Sequence, residues 1–522
     1  MKPENAWKDS DLRIAACVFV VLLGYLGTVH LKALQPDCDV STDAPYHITM
    51  ADLFGELALG KHFPPMAKSV WKHTFYDKEL AFHAFLNSLR KWAGLLGYRG
   101  NAPPFILETF VLVSSCLAIF WALLWRSGVR QTYVFLPLFL LGFPLFTLRL
   151  NMVRPHVVSI MLMMVTVGLL IGKAPICRRR LLQLALVGFA FSYCHSNPHF
   201  MLFPTLVFAA VYFSAYRWRS LLPAGAALAG IIAGLALHPQ FPNTFIIWKI
   251  QCIDVLWQSL THSVPDITSP SELERPMRFH VIHNLLLPAL PLVISAAAMH
   301  RRRFRTLNRR ICFVFALTAI SCVGYFLSKR TIEYAVPFAL LLSALVYQKW
   351  FSRAPRSVHL AVLTAISVFV LCMRPLHVCY FSDSRVPIPL QFAHWARTTL
   401  PPGTYIANLR WDDFPRLFFA APEYVYSYGL DPMFAYKFDP DSFLKTERMY
   451  RGTEPFPPPD ELKELLGSRY VFTSFVHYTV SRRMARAGYA LAYQGIDGWC
   501  FDLDAPTIDH RIDERLDPIK TY

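Results

Sequence analysis

Charge is scarce in this sequence. Of 522 residues, 17% are Asp, Glu, Lys or Arg and 54% are hydrophobic. That balance excludes an ordinary soluble globule, a coiled coil and a low-complexity chain. Paired cysteines are missing as well. The 11 cysteines include no Cys-x-x-Cys, and most, such as Cys17, Cys116, Cys194, Cys312, Cys322 and Cys372, lie inside apolar segments. This argues against a disulfide framework or a zinc ribbon. Cys38 with Cys500 is the pairing that the layout would still permit. No small-residue cleavage site follows the first apolar run, so an uncleaved helix is expected there and not a signal peptide.

What the chain has instead is apolar length. Mean hydropathy is +0.34, and apolar runs of about 17–22 residues recur, each enough to cross a ~30 Å hydrocarbon layer. Spans are expected near 11–33, 103–125, 131–150, 153–172, 181–197, 199–216, 221–238, 284–300, 311–328, 334–350 and 358–376, about eleven in all. The net charge of +17 then belongs to loops and not to a nucleic-acid surface. Basic residues gather in alternate connections: Arg126 and Arg130; Lys173 and 178–180; Arg217 and Arg219; 301–310; Lys349, Arg353 and Arg356. Basic loops face the cytoplasm, so the N-terminus is expected inside and 377–522 outside.

After 376 the character changes. Proline, charge and aromatic residues rise and no run is long enough to span. Gln391–Thr399, Pro459–Leu466 and Ser481–Ala487 read as helices. Thr404–Ala407, Tyr470–Thr473, Ala490–Tyr493 and Trp499–Leu503 read as strands. The fold class expected is therefore an all-α polytopic membrane domain over 1–376, with a large first extracytoplasmic loop at 34–102, and a soluble extracytoplasmic α/β domain over 377–522. Trp411-Asp412-Asp413-Phe414 reads first as a strand end and turn, and Gly429-Leu430-Asp431-Pro432 as a turn.

The first loop carries the candidate chemistry. Asp43 opens a helical run to Leu59 whose Tyr46, Met50, Leu53, Phe54 and Leu57 would suit the bilayer interface. Asp77 precedes a second run through Trp92. Capping alone would explain an Asp at either position, but Asp43 and His47, and Glu79 and His83, repeat a four-residue spacing that shares a helix face. A carboxylate beside apolar walls gains basicity and suits a general base taking a hydroxyl proton. Polar clusters recur at the span ends expected on the same side: Arg154 with His156, His195 with Asn197 and His199, His238, and Lys329, Arg330 and Glu333. One alone reads as a cap or anchor. Ionisable groups at bilayer depth mark function when they repeat, and arginine suits an anionic phosphate leaving group.

The large loop with Asp-x-x-Tyr-His at 43–47 resembles the GT-C superfamily of integral-membrane glycosyltransferases, which includes oligosaccharyltransferases, protein O-mannosyltransferases and aminoarabinose transferases. Arg-Pro-His (154–156), His-Pro-Gln-Phe-Pro-Asn (238–243), 330–338, 411–419 and 428–434 resemble segments of bacterial proteins of this type. The resemblance implies a multi-span enzyme using a polyprenyl-phosphate-linked sugar, with Asp43 as the first-loop acid and Asp77 or Glu79 at a second acidic position. Two departures stand out. No Asp-x-Asp lies between the third and fourth spans, and no Trp-Trp-Asp lies in the C-terminal region, so a metal-independent, single-acceptor member is the nearer pattern.

The expected reaction is an inverting sugar transfer to a hydroxyl. Asp43 is the base, His47 orients it or the acceptor, and Glu79 is a supporting acid. Arg154 and Arg330 meet the phosphate, with Glu333 beside them, and His195 and His199 line the pocket. No cofactor is expected; the alternative is a divalent metal held by Asp43, His47, Glu79 and His83. Expected partners are the polyprenyl-phosphate-linked sugar donor, a lipid, glycan or protein acceptor, and membrane lipids, with no nucleic acid. A bacterial cytoplasmic (inner) membrane is the expected location. The rival readings are a lipid or polysaccharide flippase and a non-catalytic scaffold.

Overall fold

The computed structural model describes residues 9–33, 38–39, 43–97, 105–172, 175–267, 273–282, 284, 308–351, 353–383 and 386–505. They form two compact units. The first comprises 1–35, 105–237 and 271–384, and the second comprises 36–104, 238–270 and 385–522. The expected span at 284–300 lies almost wholly outside the described residues.

The first unit is helical. Among the described residues five helices are long and apolar enough to cross a membrane: Ile106–Arg126, Pro198–Ala236, Arg309–Leu327, Lys329–Phe351 and Arg356–Phe381. A broken pair, Thr132–Leu141 and Pro144–Leu150, bends by 83° and makes six if taken as one span. The bend has a local cause. Pro144 pushes the residue before it out of the helical region, and Phe143 sits at φ −137°, ψ 101°. Several expected spans are shorter helices: Pro155–Ile171 and Arg178–Cys194 have 17 residues each, and Leu202–Tyr216 and Leu222–Ala236 have 15 each within the Pro198–Ala236 run. The expected count of eleven is thus not reached among the described residues. Arg178–Cys194 and Leu222–Ala236 approach through small residues. A Cβ on Gly230 would fall 1.9 Å from the Ala185 carbonyl oxygen, the close backbone approach that membrane helices achieve with glycine.

The second unit is mixed. Its five-stranded sheet runs in the order Val425–Tyr426, Tyr405–Asn408, Tyr470–Ser474, Gly498–Asp502, Ala490–Gly495. The first three strands are parallel and the last two join antiparallel. Most elements expected after 376 are present, with Leu390–Thr399, Pro459–Leu466 and Tyr478–Arg486 as helices. Cys500 is a buried free thiol on the Gly498–Asp502 strand, so the bridge to Cys38 is not formed. Two further helices, Phe414–Ala420 and Pro432–Phe438, stand where a strand end and turns were expected, and a third, Pro440–Arg451, follows them.

The first-loop residues pack into this unit. Ala67 N–H donates to Tyr426 O at 2.8 Å and Lys68 N–H to Ser427 O at 2.7 Å, which covers the sheet edge. The Gln240 side chain accepts from Asp77 N–H at 2.6 Å and donates to Ala58 O at 2.8 Å, and Asn243 donates to Phe75 O at 2.9 Å. The run from Asp43 breaks at Leu53 into Ala44–Asp52 and Phe54–Leu57. Its expected role at the bilayer interface is corrected: Tyr46 and Met50 are buried, and the Tyr46 ring centroid lies 6.4 and 6.3 Å from those of Phe414 and Phe418. Protein covers that face, and each such side chain contributes roughly 2–3 kcal/mol by leaving water.

Candidate active site

Asp43 stands half-buried before Ala44-Pro45 at the start of the Ala44–Asp52 helix, and its side chain makes no capping hydrogen bond. Capping therefore does not account for it. One turn on, His47 is buried and heads a chain of three side chains. His47 Nδ1 lies 2.9 Å from His83 Nε2, and His83 Nδ1 lies 2.8 Å from Asp77 Oδ2. Asp77 and His83 are fully buried. Asp77 also accepts from Glu79 N–H through Oδ1 at 3.2 Å, so it caps the turn and serves His83 at once. The bonding logic assigns the tautomers. A carboxylate only accepts, so His83 donates from Nδ1 and accepts at Nε2, and His47 donates from Nδ1 and carries its lone pair on Nε2.

The expected Glu79–His83 pairing is corrected. Glu79 occupies the N-cap of the Leu80–Leu95 helix with non-helical dihedrals, and His83 bonds to Asp77 in its place. Glu79 lies 3.8 Å from Lys78 Nζ, and its Oε2 makes no hydrogen bond. Burial pushes its carboxyl up to about 7, against the pull of Lys78 and His83 and with the push of Asp77 and Asp43. Asp431, read as a turn residue, belongs here. It caps Pro432–Phe438 through Met433 N–H at 2.8 Å. Burial pushes it up to about 6, the Met433 N–H and Lys78 pull it down, and the Asp43 charge pushes it further up. The second unit thus gathers Asp43, Asp77, Glu79 and Asp431, two of which, Glu79 and Asp431, burial pushes up toward neutral pH. The alternative metal set of Asp43, His47, Glu79 and His83 does not fit, because both His83 nitrogens are engaged. Among the described residues the group with ligand atoms close enough for one ion is Asp412, Asp413 and His477.

The first unit holds the basic candidates. Glu333 is fully buried and accepts from Arg149 Nε at 2.6 Å, while Arg330 Nε lies 3.9 Å from its other oxygen. Arg330 Nη2 lies 3.0 Å from His195 Nε2, and His195 Nδ1 accepts from Asn197 N–H at 3.1 Å. Neutral His195 then carries its proton on Nε2, so two N–H groups face one another, and Arg330 Nε is a buried donor with no hydrogen bond. That excess of donors is what an anionic oxygen satisfies. Glu333, expected as a binding residue, is occupied by two guanidinium groups and offers them position. His195, Arg330 and Glu333 are brought together. His199 sits in the Pro198–Met201 turn and reaches them through Phe200, whose ring centroid is 4.9 Å from His199 and 6.5 Å from His195. Arg154 precedes Pro155 in extended backbone at the start of its helix, where the helix dipole also favours an anion. Arg149 was not singled out from the sequence, although a lone arginine in Phe-Thr-Leu-Arg-Leu inside an apolar run is the signal that could have found it.

No protein-family model matches the chain, and no curated protein matches it in sequence. Solved structures do. The apo crystal structure of the Archaeoglobus fulgidus oligosaccharyltransferase matches with a TM-score of 0.62 at 12% identity, over 94% of this chain and 75% of that one. The oligosaccharyltransferase AglB of that organism, in complex with an inhibitory peptide and a dolichol-phosphate, matches with a TM-score of 0.58 at 12% identity over the same shares. ArnT from Cupriavidus metallidurans, bound to undecaprenyl phosphate, matches with a TM-score of 0.55 at 12% identity, over 94% of this chain and 98% of that one. The chain therefore has the fold of the GT-C membrane glycosyltransferases.

Proposed function

We propose that this protein is a multi-pass membrane glycosyltransferase that moves a sugar from a polyprenyl-phosphate carrier to a hydroxyl acceptor with inversion. The observation that carries this reading is the buried Asp77–His83–His47 chain, which fixes the imidazole one turn from a non-capping Asp43. In the step, the acceptor oxygen bonds to the anomeric carbon and the carbon–oxygen bond to phosphate breaks. The hydroxyl proton passes to the Asp43 carboxylate, and polyprenyl phosphate leaves with the electron pair. His47 orients Asp43 or the acceptor. Arg330, with Arg154 and the Arg149–Glu333 pair that positions it, supplies donors for the phosphate, and His195 and His199 line the pocket. Glu79, whose carboxyl burial pushes up to about 7, is a supporting acid.

Two neighbours in fold carry polyprenyl phosphates in their structures, which supports the donor class. The acceptor class is a lipid, a glycan or a protein. The location proposed is a bacterial cytoplasmic membrane, and the basic loops support an orientation with the N-terminus inside and the C-terminal residues outside. No metal enters the transfer step, so a chelator leaves the initial rate unchanged. The test is transfer from a polyprenyl-phosphate sugar pool by purified wild type beside Asp43→Asn. A loss of about 10²–10⁴-fold in the variant, with insertion and folding intact, supports the reading. Wild-type rates in the variant remove Asp43 as base. Lipid movement across vesicles with no transfer from any donor replaces the reading by a flippase.

A further inference from the structure

The C-terminal part of the second unit buries a polar cluster that the transfer chemistry does not use. Arg410 to Asp413 follow the Tyr405–Asn408 strand, and His477 ends the turn after the Tyr470–Ser474 strand. These strands are parallel neighbours, so both segments leave the same carboxyl edge of the sheet. The chain goes from Tyr405–Asn408 to the strand on one side and then to the strand on the other, so this is the point where strand order reverses. Ligands of open α/β sheets bind in the crevice there.

Three donor atoms converge at that edge. His477 Nε2 lies 3.5 Å from Asp413 Oδ1 and 3.8 Å from Asp412 Oδ1. His477 is 7% exposed and Asp413 2%, and His477 Nε2, Asp412 Oδ1 and Asp413 Oδ2 are buried without a hydrogen bond. These separations are long for N–H···O bonds. They are near the spacing of two ligands on one ion, since bonds of about 2.1 Å set neighbouring ligands roughly 3.0–3.4 Å apart. The other ring nitrogen of His477 lies 2.9 Å from the Tyr450 hydroxyl. With Nδ1–H donating to Tyr450, Nε2 presents its lone pair to the carboxylates, the arrangement that holds metal-ligating histidines in one tautomer. Arg410 meets Asp412 at 3.4 Å and Glu447 at 3.3 Å, and Arg416 meets Asp413 at 3.1 Å. Asp412 is the half-buried member of the three, on the side from which an ion and its water would enter.

We propose that Asp412, Asp413 and His477 bind a divalent cation of the zinc class, with Tyr450 orienting the imidazole and water completing the shell. The ion clamps the two strand ends together; it is separate from sugar transfer and stands whether or not that reading holds. The experiment uses the full chain in detergent, stripped with chelator, reloaded with zinc chloride and desalted, with bound zinc measured by mass spectrometry and affinity by a chromophoric competitor. The expected result is one zinc per wild-type chain, loss of that zinc in His477→Gln, and affinity weakened by roughly 10–100-fold in Tyr450→Phe, which keeps the ring packing. Wild type that retains no zinc after reloading overturns the proposal. So does zinc whose amount and affinity are the same in wild type, His477→Gln and Tyr450→Phe. If His477→Gln does not fold, Tyr450→Phe decides alone.

Discussion

The loop cluster of the second unit and the arginine cluster of the first are built on opposite electrostatic plans. The loop concentrates acids, and burial pushes the carboxyls of Glu79 and Asp431 up toward neutral pH, while histidines hand one proton pattern from Asp77 to His47. The arginine cluster concentrates donors, with one fully buried carboxylate, Glu333, shared by Arg149 and Arg330. On the reading proposed above, proton transfer and anion binding would rest on separate groups, each with its own counter-group. A base needs its surroundings poor in cations, since a nearby guanidinium would hold a carboxylate deprotonated and weakly basic. A phosphate site needs the reverse.

Substitutions sharpen or break that division. The largest effect after Asp43 is expected at Arg330. Arg330→Ala should lower kcat/KM by about 10²–10³-fold, with the loss shared between kcat and the donor KM. Steady-state kinetics at varied donor concentration would measure it, and an unchanged donor KM and kcat would break the assignment. Next comes Asp77→Asn, which permits the wrong His83 tautomer. A fall of roughly 10–100-fold in kcat with donor KM unchanged is expected; a raised donor KM with kcat intact would place the relay among binding groups. The smallest effect is on stability. Glu79 has a folded value raised from 4.5 to about 7, so between those values the folded state binds more protons than the unfolded one. The stability that Glu79 contributes is then fully present below about 4.5 and is lost as pH rises through about 7, by on the order of 1–3 kcal/mol. Melting temperatures in detergent from pH 4.5 to 7.5 should fall more steeply for wild type than for Glu79→Gln. Parallel curves would show that Glu79 does not carry the effect, since Asp431 has the same sign.

How much of this the sequence discloses depends on the length scale of the signal. Scarcity of charge is a property of the whole chain, and it announces membrane helices without any single residue being decisive. The Asp43–His47 spacing is local and helical, so it was legible. The Asp77–His83 bond was not, because the helix begins at Leu80 and Asp77 reaches its partner from outside the helical register, leaving the regular Glu79–His83 spacing as the misleading one. Phe414–Ala420 hid for another reason. It is apolar almost throughout and buried, so it shows no alternation of faces and its aromatic residues favour strand by propensity. Pro432–Phe438 and Pro440–Arg451 each follow an Asp whose side chain caps the helix; Asp431-Pro432 reads equally as a turn and as a helix start, and only the fold decides between them. The Arg330–His195 contact joins residues 135 apart in sequence, which no periodicity records.

The second unit is sewn from three stretches of chain, and this sets a timetable for its making. Lys68 bonds to Ser442, which lies 374 residues later, and Tyr46 packs on Phe414 and Phe418. At ribosomal speeds of ~5–20 residues per second, the early loop waits on the order of a minute for those partners to be synthesised. Throughout that interval its aromatic face is a sticky, unfinished surface, and the membrane helices in between are threaded and set down first. A chain ending before Phe414 would lack the aromatic partners that cover this face.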